Sequence, residues 1–128
     1  MLKTERRTIG DLDVTTTQLP PIRAFALLAT LGRLSGAAGI SAAGVIQMFG
    51  NAARAELSPF ACDILAGTSA TVDGRVMTLG TEQAINAVFA GRLPRLIEVM
   101  AFSLEVNFAD FSEGAPSESP SAPVDANG

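Results

Sequence analysis

The chain has no histidine, no tryptophan, no tyrosine and a single cysteine, Cys62. Without histidine it lacks the side chain that titrates near neutral pH and the commonest ligand of transition metals. One cysteine makes neither an internal disulfide nor a thiolate-rich zinc site. Its serines have no imidazole to activate them as nucleophiles. The glycines of GRLSGAAG (32–39) do not follow a predicted strand, and no lysine follows them, so a phosphate-cradling loop is not supported. Carboxylate pairs occur at Asp11/Asp13, in a turn, and at Glu98/Glu105, two helical turns apart; both read as solvated charges rather than an acid/base pair. The expectation is a protein that is not an enzyme and that uses no metal or cofactor.

Charge is scarce as well, at 17% of residues, and unevenly placed. The net charge of -4 comes from the region after residue 109, where Asp110, Glu113, Glu118 and Asp125 face no base; the first 109 residues hold nine acids and nine Lys or Arg. The nearest thing to a basic cluster is Lys3, Arg6 and Arg7, too small to displace counterions from a nucleic-acid backbone, and no nucleic-acid partner is expected.

What the chain does have is apolar residues, 48% of the 128, including seven phenylalanines. The length fits one domain. Residues 112–128 (SEGAPSESPSAPVDANG) hold three prolines, four serines and only Val124 among large apolar residues, a composition that predicts a disordered tail. The folded unit is then residues 1–111. The N-terminal Lys3, Glu5, Arg6 and Arg7 lead into polar alternation instead of an apolar run, which does not read as an export signal. A reducing cytoplasm follows, with Cys62 a small, inert thiol.

The expected fold is mostly α with two small β-hairpins (α+β), four to five helices and a long C-terminal amphipathic helix. Thr4–Ile9 and Leu12–Gln18, separated by Gly10-Asp11, read as a hairpin. With its first strand polar on both faces it is expected to add little core and to stand as an exposed flap, or to offer its open edge to another strand. Pro20-Pro21 opens a helix over Ile22–Leu34 whose polar residues Arg23, Thr30 and Arg33 share one narrow arc. Such a helix is either central in the core or awaiting a partner.

The Gly- and Ala-rich stretch 35–55 predicts a helix that is weak unless it packs closely. Residues 24–49 also raise a membrane span, against which stand the central Arg33 and the absence of aromatic anchors. Ser58-Pro59 predicts the cap and first residue of a short helix to about Leu65. Asp73-Gly74 predicts a type I′ turn in a second hairpin, Thr71–Val76. Thr81 predicts the cap of a helix that Gly91 interrupts, and Pro94 the first turn of a last helix to about Phe108.

On that last helix Leu93, Leu96, Ile97, Met100, Ala101, Leu104 and Phe108 form an apolar stripe at spacings of three and four. Val99, Phe102 and Val106 form a second strip, rimmed by Arg95, Glu98 and Glu105. This strip either packs on the Gly-rich helix or a hairpin, or serves as a partner-binding patch.

The segment QLP (Gln18–Pro20), the helix running into LGRLSG (31–36), the hairpin TVDGRV (71–76) and the closing FAGRLPRLIEVMAFSLEVNFADF (89–111) resemble the small tail assembly chaperones of tailed bacteriophages. The resemblance implies a non-enzymatic protein that acts in the host bacterial cytoplasm. Its implied partner is the long helical tape measure protein, with the tail tube protein as a second, and it is displaced from the finished tail. Some members are also made in a longer, frameshifted form. Together with the strip, it makes Val99, Phe102, Val106, Phe108 and Phe111 the candidate partner-binding residues, and self-association stays open. Two other readings compete: a minor structural tail or baseplate protein, and a small membrane-active lysis protein built on residues 24–49.

Overall fold

Alternation along Leu12–Thr17 decides how the strands assemble. Leu12, Val14 and Thr16 point to one face and Asp13, Thr15 and Thr17 to the other, because successive side chains of a strand alternate. In the computed structural model, which describes residues 2–35 and 40–113, with side chains through Phe108, the first set is almost wholly buried.

The strands are β1 (Thr4–Ile9), β2 (Leu12–Thr17), β3 (Thr68–Val72) and β4 (Arg75–Thr78). They form one antiparallel sheet in the order β1-β2-β3-β4. The two expected hairpins are both present, but they are joined. β2 pairs with β3 in the register Asp13↔Thr71, Val14↔Ala70, Thr15↔Ser69 and Thr16↔Thr68. The first hairpin is therefore not a flap. Its second strand lies inside the sheet, its missing neighbour comes from the same chain, and it gives Leu12, Val14 and Thr16 to the interior. Burying each aliphatic side chain stabilises by about 1.5–3 kcal/mol.

Five helices follow from clear local signals. α1 (Pro21–Leu34) opens on Pro21, whose missing amide has no intrahelical partner in the first turn. α2 (Ala42–Asn51) is capped by Ser41, whose Oγ accepts from the Gly44 amide at 3.0 Å. It accounts for the middle of the Gly-rich stretch; residues 36–39 lie outside the described residues.

α3 (Leu57–Ile64) continues from a single 3-10 turn, Arg54–Glu56, so its start precedes the expected Ser58-Pro59. Glu56 Oε1 accepts from the Ala53 amide at 2.9 Å, which stabilises that earlier start, while Ser58 Oγ donates to Glu82 Oε1 at 2.6 Å. Pro59 is tolerated there because first-turn amides lack partners. α4 (Glu82–Phe89) has the expected cap, Thr81 Oγ1 accepting from the Ala84 amide at 3.2 Å, and ends before Gly91, at φ +72. The turn Asp73-Gly74 carries two positive φ values, +51 and +78, as a type I′ turn requires.

α5 (Leu93–Glu113) is longer than its apolar periodicity alone predicts and takes in Ser112 and Glu113, which composition had placed in the tail; the remaining tail, 114–128, lies outside the described residues. It is the central helix, packed against β1, β2, α2, α3 and α4. That position explains why two apolar strips are needed. Met100, Leu104 and Phe108 of the first and Val99, Phe102 and Val106 of the second are all buried. Among the described residues no helix is long and apolar enough to cross a membrane, and α1 and α2 are separate helices within the stretch 24–49.

Candidate partner-binding groove

Burial removes the second strip from the protein surface. Val99 is 0%, Phe102 2%, Val106 5% and Phe108 2% exposed. The strip's charged rim explains part of this. Arg7 of β1 lies over the Phe102 ring, 4.5 Å from its centroid, and its guanidinium donates to Glu105 Oε1 at 3.1 Å. The first hairpin thus lies across the strip, one of the two arrangements the sequence allowed. The side chain of Phe111 lies outside the described residues.

Among the described residues, α1 carries the two most exposed large apolar side chains. Its wheel buries Leu27, Leu31 and Leu34 against the core, and leaves Ile22 82% and Phe25 71% exposed. Pro21, Ala24, Phe25 and Leu28 of this helix and Asn107 and Phe108 of α5 enclose an open groove of about 230 Å³ with an almost wholly apolar lining. Among the described side chains, Phe108 is the one predicted site residue that reaches it. Two hydrogen bonds tie the segment leading into α1 to α5: the Leu19 amide donates to Asn107 Oδ1 at 2.8 Å, and Gln18 Nε2 donates to the Val106 carbonyl at 3.1 Å. Asn107 is itself steadied by donating from Nδ2 to the Ser103 carbonyl at 2.9 Å.

Sequence reasoning flagged α1 as over-apolar but placed the candidate site on α5. The signal for Ile22 and Phe25 was in the α1 wheel, where apolar residues cover more circumference than one core face can bury.

A larger cavity, about 550 Å³, lies between β1, the start of α2 and α5, lined by Arg7, Ile40, Arg95, Glu98, Phe102 and Glu105 among others. Its charges are spoken for: Arg95 pairs with Glu98 at 2.7 Å and Arg7 with Glu105 at 3.1 Å. Ion pairing also explains the carboxylates noted in the sequence. Asp11 faces Arg92 at 3.2 Å and Asp13 is bound by Arg6. The Arg6 guanidinium, through its hydrogen bond, holds the Asp13 carboxyl below the usual range, and Arg33 with the Ala53 amide does the same for Glu56. Among the described residues no group of His, Cys, Asp and Glu could hold a metal ion.

The described residues form a small α+β domain with an exposed apolar groove, a surface of the kind that takes a ligand or a partner. The family model for the phage tail assembly chaperone protein, TAC, matches residues 10–117, and the chain belongs to that family. The match runs from the turn between β1 and β2 through the whole of α5, so it includes both walls of the groove. Assembly chaperoning is in general a non-enzymatic role. None of the curated proteins and none of the solved structures compared with the chain matches it.

Proposed function

We propose that this tail assembly chaperone binds the tape measure protein, holding an amphipathic helix of it in the groove between α1 and α5 while the tail tube is built. The observation that carries the reading is the exposure of Ile22 and Phe25 beside a groove floored by Phe108. Adjacent large apolar side chains on one helix of a small domain are a surface kept for a partner. A groove with apolar walls takes a helix through side chains spaced at i, i+3, i+4 and i+7, which is the pattern of a long helical client.

Binding is non-covalent, with no catalytic step. The tail tube protein is a second partner, met when the client is handed on. The chaperone acts in the host cytoplasm and leaves before the virion is complete. Co-expression with a helical tape measure fragment tests this reading: the fragment is expected in the soluble fraction and to co-purify with the chaperone. A fragment that stays insoluble, or never co-purifies, overturns it.

A further inference from the structure

β1 is an edge of the sheet, and only one side of its backbone is used. The Gln18 amide donates to the Lys3 carbonyl at 2.8 Å. Hydrogen-bonded pairs alternate along an antiparallel ladder, so in the register Glu5↔Thr16, Arg7↔Val14 and Ile9↔Leu12 these β1 residues turn their backbone groups to β2. Thr4, Arg6 and Thr8 turn theirs outward, and among the described residues no strand lies beyond them. An edge strand of six residues in this state is a template for another strand.

We propose that β1 pairs with β1 of a second copy of this chain, antiparallel, about a two-fold axis at Arg6. Outward-facing residues must oppose outward-facing residues, and the symmetric registers that keep most of the strand paired have their axes at Glu5, Arg6 or Arg7. The first opposes Glu5 to its own copy and the third opposes Arg7 to its own copy. The second opposes Glu5 of each copy to Arg7 of the other, twice, at positions without ladder hydrogen bonds, where facing side chains come closest. Both are within reach, with Arg7 47% and Glu5 38% exposed. Each new contact completes a row of alternating sign, Glu105, Arg7, then Glu5 and Lys3 of the other copy, because Arg7 lies 3.1 Å from Glu105 and Glu5 lies 2.8 Å from Lys3. Arg6 meets its own copy with its charge already bound by Asp13. The strand is polar on both faces, so it does not suit an apolar client, whereas its charge order is complementary to itself. β4, the other edge, has four residues and one charge, Arg75, and offers no such register.

None of the residues lining the groove between α1 and α5 belongs to β1, so the dimer presents two client grooves at once. That consequence rests on the proposed function; the pairing does not, and it is tested on the free protein.

The test uses full-length protein with Cys62→Ser, carrying Arg6→Cys or Thr8→Cys, oxidised at concentrations on the order of tens of micromolar. Arg6→Cys is expected to give a disulfide-linked dimer, because the axis sets this residue opposite itself within disulfide reach. Thr8→Cys is expected to give none, because it faces Thr4 of the other copy. Equal linkage through both positions, or none through Arg6→Cys, overturns the proposal. Glu5→Lys supplies the second measurement, since it sets like charges opposite each other at both ends of the contact. Sedimentation equilibrium should show its dimer at least about tenfold weaker than wild type, with an unchanged circular dichroism spectrum. A dimer of unchanged strength places the contact elsewhere, a monomeric wild type leaves the edge to a strand of another protein, and either result overturns the proposal.

Discussion

The Leu19 amide and Asn107 Oδ1 are 2.8 Å apart, joining residues separated by 88 positions in the sequence. This bond and its neighbour from Gln18 to the Val106 carbonyl hold the segment between β2 and α1 against α5. Both are partly buried, so losing one side leaves a donor without water to replace its partner. Asn107→Leu is expected to lower the stability measured by urea unfolding by about 1–3 kcal/mol. It should also loosen the groove, read as faster amide exchange at Leu19. Exchange at Leu19 that matches wild type would remove the bond from this account.

Two glycines make opposite predictions. Gly67 lies where β3 begins beside the end of β2, and a Cβ there would sit 2.3 Å from the Thr17 carbonyl oxygen, an atom of the backbone that cannot swing away. Gly50 is exposed near the end of α2, and a Cβ there meets nothing within 4 Å. Gly67→Ala is expected to cost about 1–3 kcal/mol, and Gly50→Ala to raise stability by up to about 1 kcal/mol. Thermal unfolding of the two variants decides both.

Acid should weaken the fold partly through Asp13 and Glu56. Each carboxyl titrates below its ordinary value in the folded protein, because Arg6 binds the first and Arg33 the second. A depressed folded pKa contributes stability that is complete above the unfolded pKa of about 4 and is lost as pH falls through the folded value. The double variant Asp13→Asn, Glu56→Gln is therefore expected to lose less stability than wild type when urea midpoints are compared between about pH 6 and pH 3. The difference should shrink in high salt, since both pairs are at the surface. Identical acid limbs would contradict the pairing.

Much of this fold is legible in local signals, and the exceptions have one cause. Pro21, Thr81, Asp73-Gly74 and Gly91 each fix an element boundary through their own backbone chemistry, and each acts where the sequence places it. The register of β2 on β3 depends on residues far apart, and no local pattern carries it. The buried chain of hydroxyls that runs across it is equally silent in the sequence. Thr16 and Thr68 Oγ1 lie 3.0 Å apart, Thr68 Oγ1 donates to Ser103 Oγ at 3.1 Å, and Ser103 Oγ donates to the Ile64 carbonyl at 2.7 Å. Each hydroxyl passes its hydrogen bond to the next, which lets three polar side chains sit in the core.

Distant packing also decides which apolar face stays exposed. The wheel of α5 leaves two arrangements for Phe102, internal packing or a partner-binding patch; the first hairpin covers it and Arg7 stacks on its ring. Phe25, on a helix of the same apolar character, has no such cover among the described residues. Helical periodicity identifies a face that needs covering; only the tertiary fold says which face the chain covers by itself.

The central claim is that the client is held at the groove between α1 and α5. The most direct measurement titrates a helical tape measure fragment into the wild type, Phe25→Asp and Val76→Asp, with heat of binding as the readout. Val76 is the matched control, an apolar residue 70% exposed on β4. Both variants should fold, since neither side chain is in the core. Phe25→Asp is predicted to weaken binding at least about tenfold, the loss of a central apolar anchor, and Val76→Asp to leave it unchanged. Wild-type affinity in Phe25→Asp, or an equal loss in Val76→Asp, would contradict the account.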